Sequence, residues 1–222
     1  NLRTCAFAKE HSIPLLIGKI TREDVKRWKE AGIDALICCG YYYRIPVDEK
    51  LPMVNIHPAL LPKGRGAWPM PVTLLEGLRE SGITIHKMTD DFDEGDILSQ
   101  KAVPVMPEDT LQTLTARLQT LLPGMMAELA SDFCHLYEMA RPQGEGEYWP
   151  CPEESNYPVT PDMDVSEADR ILRAFYGYEC IYRNRDEIYG VMEGRAYPAV
   201  YGGEKGLPVR GGTIVARRVR KL

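Results

Sequence analysis

Apolar positions along the chain change period several times, and the changes lay out a succession of elements. Thr4 to His11 carry Cys5, Ala6 and Ala8 inward of Lys9 and Glu10, as the middle or end of a helix does. Pro14 to Gly18 is a short apolar run and predicts a buried strand. Thr21-Arg-Glu-Asp24 predicts a helix start, with a capping threonine and two acids in the first turn. That helix should reach about Ala31 and end at Gly32. Ile33 to Cys39 is apolar apart from Asp34, the pattern of a parallel strand buried on both faces. Leu51 to Ile56 and Ile83 to Met88 are further strand-like runs. Between them Met70 to Ser81 has helical spacing, with Val72, Leu74, Leu75 and Leu78 inward, and Leu98 to Val105 predicts an outer strand.

Strand, helix, strand, loop, strand predicts an α/β fold with a mostly parallel sheet and flanking helices. Ligands bind such sheets beyond the carboxyl ends of the strands. The loop from Gly40 to Pro46, the turn at Asn55 to His57 and the acidic loop from Asp90 to Asp96 should then share one edge.

Pro107-Glu-Asp-Thr110 predicts a long helix with Leu111, Leu114, Leu118, Leu121 and Leu122 on one face. Pro123 breaks it, and a second helical segment follows from Gly124 to Met139. Residues 141–161 hold five prolines and few aliphatics, which predicts a linker. Beyond it Asp164 caps a helix from Val165 to Phe175. Short β-like runs then follow at Glu179 to Tyr182, Glu187 to Met192 and Thr213 to Arg218, punctuated by Gly202-Gly203 and Gly211-Gly212. The expected organisation is an α/β domain over 1–140, a linker over 141–161, and a small mostly-β appendage over 162–222.

The 222 residues include 44% hydrophobic side chains, enough for a core. The net charge of −5 and pI near 5.5 argue against a generally basic nucleic-acid surface. The run Arg217-Arg218-Val219-Arg220-Lys221 is a local exception, read first as a solvated tail. Six cysteines without a C-x-x-C pair give no zinc ribbon, and no metal is expected. No apolar run could span a bilayer and no signal peptide is visible, so no membrane partner and a cytoplasmic location are expected.

Candidate chemistry gathers at two strand ends. Asn55 and His57 close one strand, and Asp93 lies in the loop after another. His57 has an unperturbed pKa of about 6.5, suited to moving protons near neutrality. Asn55 can donate an amide N–H to an oxyanion without ionising. Asp93 can orient the imidazole or stabilise its charge, so His57 stands open as neutral base or as cation.

Asn55-x-His57-Pro58, Leu60-Leu61-Pro62, Arg65-Gly66, Gly82-x-Thr84 and Phe92-Asp93-x-Gly95-Asp96-Ile97, in that order, resemble the signature of formyltransferases that use 10-formyltetrahydrofolate. That family includes methionyl-tRNA formyltransferases, sugar-amine N-formyltransferases, a glycinamide ribonucleotide formyltransferase and a hydrolase that discards the formyl group. The resemblance implies a Rossmann-like formyltransferase fold, 10-formyltetrahydrofolate as donor co-substrate, a primary amine as acceptor, and Asn55, His57 and Asp93 as the catalytic set. It implies folate contacts from the backbone of the loop with Tyr42, Tyr43, Arg44 and Ile45, and of the segment with Met88, Asp90 and Asp91. The tyrosines either pack on the pterin or the acceptor, or cover the sheet edge. His86 matches a histidine near the folate, with core packing as the equal alternative. The C-terminal order resembles a shortened C-terminal domain of methionyl-tRNA formyltransferases.

Arg65-Gly66-x-x-Pro69 leans toward the sugar-amine and methionyl-tRNA branches. Acidic pI and a short appendage favour a small-molecule amine over tRNA. Two departures stand out: Ala59 replaces a serine common in relatives, and the family's first strand–helix–strand unit is missing at least in part, so the catalytic domain is expected to be N-terminally incomplete. Two other readings remain beside amine transfer. In one, water replaces the amine and the chain is a hydrolase; in the other, it is a non-catalytic folate-binding relic.

Overall fold

A computed structural model describes residues 2–41, 43–198 and 206–222. Tyr42 and the Gly202-Gly203 pair lie outside the described residues.

The chain enters through α1 (Leu2–Glu10) and α2 (Arg22–Glu30). Thr21 caps α2 as the sequence predicts, in a reciprocal box: its hydroxyl accepts from the Asp24 N–H while the Asp24 carboxylate accepts from the Thr21 N–H. The strand expected at Pro14 to Gly18 does not form. Those residues are unpaired, and Leu15, Leu16 and Ile17 are exposed. β1 is shorter than expected, Leu36–Cys39, and only Cys38 is buried. Cys38 packs with Val25 of α2, while Ile37 and Cys39 on the opposite face stay exposed, so the burial expected on both faces is not reached.

β2 (Met53–His57) follows, then β3 (Lys63–Arg65), α3 (Pro69–Leu75), β4 (Glu80–Lys87) and β5 (Ile97–Pro104). The helix expected over 70–81 stops early. Glu76 ends it, and Glu80 to Gly82 extend into β4, where Ser81 and Gly82 pair with Val103 and Ala102.

β1, β2, β4 and β5 form one sheet in that order. It is mixed rather than mostly parallel: β1–β2 is parallel, whereas β2–β4 and β4–β5 are antiparallel. Between β4 and β5 only the loop 88–96 intervenes. Without a crossover helix the chain returns from the end it left, which makes the pair antiparallel. The flanking-helix architecture stands, with α3, α4 (Leu111–Gln119), α5 (Leu122–Ser131) and α6 (Phe133–Glu138) after the strands they cover. Thr110 caps α4, and Pro123 falls in the first turn of α5, where a proline's missing N–H costs nothing.

Residues 141–161 run along both parts of the molecule. Arg141 pairs with Ile97, and β6 (Glu147–Tyr148) pairs with β3. The N–H of Trp149 donates to Arg65 O at 2.7 Å, and that of Val159 to Ile181 O at 2.8 Å. α7 (Val165–Ala174), capped by Asp164, then packs on an antiparallel sheet ordered β7 (Glu179–Asn184), β8 (Glu187–Tyr197), β10 (Gly212–Lys221), β9 (Leu207–Val209).

One apolar core joins the two sheets, running from Val54, Ile85 and Leu114 to Leu172, Phe175 and Tyr182. A smaller cluster of Val25, Cys38, Ile45, Leu51 and Met53 lies under α2. No helix among the described residues is long and apolar enough to cross a membrane.

Candidate active site

β2 alternates its side chains, so Asn55 and His57 project to the same face two residues apart. The register with β4 sets Asn55 opposite His86. The Asn55 amide Nδ2 lies 3.2 Å from His86 Nε2 and donates to Asp93 Oδ1, also at 3.2 Å. His86 Nδ1 is 2.8 Å from the Lys87 carbonyl and therefore carries a proton.

Asp93 reaches this point by an indirect path. Because β4 runs antiparallel to β2, its last residues lie beside the start of β2, and the Met88 N–H donates to Met53 O. The loop must fold back over the sheet face to bring Asp93 to His57. The strands' carboxyl ends therefore do not share one edge as a parallel sheet would require; the loop's return gathers the residues instead. Gly95 permits the return, since a Cβ there would strike the Lys87 carbonyl. Asp93 takes a φ of 58°, a left-handed conformation that aspartate tolerates better than most side chains. Its Oδ2 accepts from the Gly66 N–H at 3.0 Å, and its Oδ1 lies 3.5 Å from His57 Nδ1.

His57 Nε2 is 2.7 Å from the Gly64 carbonyl, so this nitrogen donates and the neutral ring keeps its lone pair on Nδ1. Gly64 has a φ of 82°, and a Cβ would come within 2.9 Å of the Trp149 ring. Thr84 fastens the intervening turn: its hydroxyl donates to Ala59 O at 2.6 Å and accepts from the Leu61 N–H. The short motifs of the sequence are thus parts of one support around the two β2 side chains.

His57 and His86 are buried, and Asp93 is nearly so. Burial holds the His57 pKa below its ordinary value, against the opposing pull of Asp93 and the Gly64 carbonyl. For Asp93 burial acts upward, but His86, His57 and the Gly66 N–H together outweigh it and leave the carboxyl below the usual range. The site therefore combines an ionised carboxylate with a histidine that favours its neutral form. Burial pushes the Cys38 thiol up, away from thiolate character.

A cleft of about 950 Å³ opens beside the cluster and is lined by Asn55, His57, His86 and Asp93. The proposed folate-contact residues Tyr43, Arg44, Ile45, Met88, Asp90 and Asp91 line it too. Ile45 also anchors the core beneath the loop. Arg44 bonds the Asp90 carbonyl and lies over the Phe92 ring, joining the two loops across the mouth. Tyr42 lies outside the described residues. His86 stands within the Asn55–Asp93 cluster itself. Among the described residues, no three His, Cys, Asp or Glu side chains converge as metal ligands would.

Several contributors have no signal in the sequence pattern. Gln143 donates its amide to the carbonyls of Asp93 and Gly95, and Arg65 donates to the Gln143 Oε1, the Gly144 carbonyl and Glu94. Arg65 stands in a recognisable motif, but Gln143 sits in a Pro/Gly stretch with no periodicity to mark it. Tyr148, Tyr176 and Tyr178 line the cleft from the second half of the chain, Tyr148 beside Gly66.

The formyl transferase family profile matches residues 18–129. A methionyl-tRNA formyltransferase of Ehrlichia ruminantium is 31% identical over 166 residues, 73% of this chain and 54% of that protein. One from Treponema denticola is 27% identical over 84% of this chain and 60% of its own length. The chain thus spans about half the length of the curated relatives it matches. Among solved structures, a methionyl-tRNA formyltransferase from Clostridium thermocellum superposes with a TM-score of 0.69 at 19% identity, covering 100% of this chain and 93% of that one. HypX from Aquifex aeolicus in complex with tetrahydrofolic acid gives 0.69 at 16% identity, over 89% of this chain and 37% of that one. These structural likenesses establish the fold. The family profile runs over half of the 222 residues and takes in Asn55, His57, His86 and Asp93, and on that ground the chain belongs to the formyl transferase family.

Proposed function

We propose that this protein transfers the formyl group of 10-formyltetrahydrofolate to a primary amine. The observation that carries the reading is the convergence of Asn55, His57 and Asp93 on the wall of one large cleft. Its volume is at the upper end for small-molecule sites and suits a donor together with a small acceptor. The loops bearing Tyr43, Arg44 and Ile45, and Met88, Asp90 and Asp91, are the proposed donor site.

In this reading the neutral amine attacks the formyl carbon. A C–N bond forms, the carbonyl π pair moves onto oxygen, and the nitrogen becomes cationic. His57 Nδ1 takes the proton, since Nε2–H is committed to Gly64. The imidazolium then faces Asp93 Oδ1, whose charge stabilises it. Asn55 gives an amide N–H to the oxyanion in exchange for one of its present partners. Collapse restores the carbonyl and breaks the bond to the folate nitrogen, which receives the proton from His57. The histidine returns neutral and no proton is consumed overall.

The test is transfer from 10-formyltetrahydrofolate to a panel of amines and to methionyl-tRNA. Asn55→Ala and His57→Ala should each lower kcat/KM by roughly 10²–10⁴-fold. Transfer untouched by both substitutions sinks the assignment of Asn55 and His57 as the reacting groups, whereas folate binding without transfer to any amine favours a protein that only binds folate. Formate released without acceptor, at the rate of folate turnover, would assign water as the acceptor.

A further inference from the structure

His86 is a buried titratable side chain to which the proposed reaction gives no task. Its strand register with β2 sets it opposite Asn55. Its Nδ1 lies 2.8 Å from the Lys87 carbonyl, which accepts that nitrogen's proton and leaves the lone pair of the neutral ring on Nε2. His57 is anchored the other way round: Nε2 donates to the Gly64 carbonyl, and the lone pair sits on Nδ1. Each ring is thus fastened to main chain by its N–H and turns its bare nitrogen toward Asp93 Oδ1, at 3.4 Å from His86 and 3.5 Å from His57.

Acceptors therefore crowd around Asp93 Oδ1, and the Asn55 amide supplies the donor among them. Its Nδ2 lies 3.2 Å from His86 Nε2 and 3.2 Å from Asp93 Oδ1, one hydrogen for each. Turned about, the amide would set its own oxygen against a ring lone pair and a carboxylate, with no hydrogen between them. The neighbours of Asn55 thus decide which end of its amide meets them. The two bonds are unequal, since a hydrogen bond to a charged acceptor is roughly twice as strong as one between neutral groups. The N–H on the neutral His86 ring is the one that a nearby oxyanion can draw away.

From this geometry we propose that His86 is a positioning residue for formyl transfer: its Nε2 lone pair orients the Asn55 amide, holds one N–H in the resting site, and yields it to the oxyanion. This rests on the formyl-transfer reading and names which partner of Asn55 is exchanged. Asp93 keeps the second hydrogen throughout, so the amide pivots about a fixed bond instead of searching for its place. When the carbonyl re-forms, the N–H returns to His86, and His86 has neither gained nor lost a proton. His86 thereby serves Asn55 and not the folate.

Steady-state kinetics with 10-formyltetrahydrofolate and an amine that the panel shows to be accepted test this on the intact protein. His86→Leu removes the acceptor and should lower kcat about tenfold or more while the donor KM stays within about twofold. His86→Gln can offer an amide oxygen to Asn55 and should return kcat to within about threefold of the parent. A residue that acts through another loses its effect once that other is gone, so in an Asn55→Ala background His86→Leu should cost less than about twofold more. A raised donor KM with kcat unmoved makes His86 a folate contact. An undiminished loss in the Asn55→Ala background makes its role independent of Asn55. Either result overturns the inference and leaves formyl transfer standing. Heteronuclear NMR of the histidine rings gives a readout that needs no turnover, with His86→Leu and His57→Gln assigning the signals. His86 should carry its proton on Nδ1 and His57 on Nε2. A proton on His86 Nε2 overturns the inference whether or not formyl is transferred. The expected pair of tautomers without transfer to any amine supports the arrangement and counts against the reaction.

Discussion

Gln143 donates its side-chain amide to the main-chain carbonyl of Asp93 at 2.9 Å, although the two are fifty residues apart. The same nitrogen reaches the Gly95 carbonyl at 2.5 Å, and Arg65 holds the other end of the amide. The loop that must fold back over the sheet is therefore latched from outside. Gln143→Ala should lower kcat about tenfold or more while the donor KM changes little, because a small displacement of a positioned group is costly. Gln143→Glu should do no better, since a carboxylate cannot donate to the two carbonyls. Steady-state kinetics of both variants provide the check.

Activity should fall as pH drops through the His57 pKa, which burial places below its ordinary value. Asp93→Asn removes the negative charge that raises this pKa. The acid limb of kcat/KM should then move to lower pH, while the plateau drops by roughly 10²-fold or more. A pH–rate profile of both proteins distinguishes this from simple loss of structure, which would lower the plateau without moving the limb.

Stability should weaken on acidification in two windows. A His57 pKa lowered by folding contributes stability above about 6.5, lost as pH falls from there toward the depressed value. The lowered Asp93 pKa adds a loss below about 3.9. Both groups are buried, so salt should screen neither strongly. Thermal unfolding against pH, repeated with His57→Gln, should show the upper window shrink.

Gly95→Ala should cost about 1–3 kcal/mol of stability, as forced overpacking does. The added Cβ meets the Lys87 main chain, which cannot move without disturbing β4. Because the same shift displaces Asp93, activity should fall further than stability accounts for. Urea unfolding and turnover measured on one preparation separate the two effects.

Asp169 on α7 accepts from Arg173, Arg195 and the Ala196 N–H. It ties the helix to β8, and Asp169, Arg173 and Arg195 do not themselves line the cleft. Removing a largely buried carboxylate strands two arginines, so Asp169→Ala should destabilise by about 2–4 kcal/mol. Turnover at a temperature where the variant is folded should be unchanged.

The local signals of the chain were sound wherever a single element settles its own form. The box at Thr21 and Asp24, the cap at Asp164, the break at Pro123 and the outer strand ending at Pro104 follow from propensity and capping alone. The ordered motifs from Asn55 to Ile97 also carried the family, because close backbone approaches at Gly66, Gly82 and Gly95 leave room for no other residue.

Strand direction and partnership belonged to the tertiary structure. Periodicity reports which faces are apolar, not which way a strand runs, so Ile83 to Met88 read as another parallel strand until its pairing with β2 set the direction. The apolar run at Pro14 to Gly18 shows the same limit: hydrophobic content cannot bury a strand when nothing in the described sheet pairs with it. Gln143 and the cleft tyrosines stayed hidden for a related reason. They act at a distance along the chain: the pairing of Arg141 with Ile97 and of β6 with β3 brings Gln143 to the Asp93 loop and Tyr148 to the cleft, and the second half of the chain brings Tyr176 and Tyr178. The order of residues thus settled the caps, breaks and motif turns and pointed to the candidate side chains, while three-dimensional packing decided how those side chains meet.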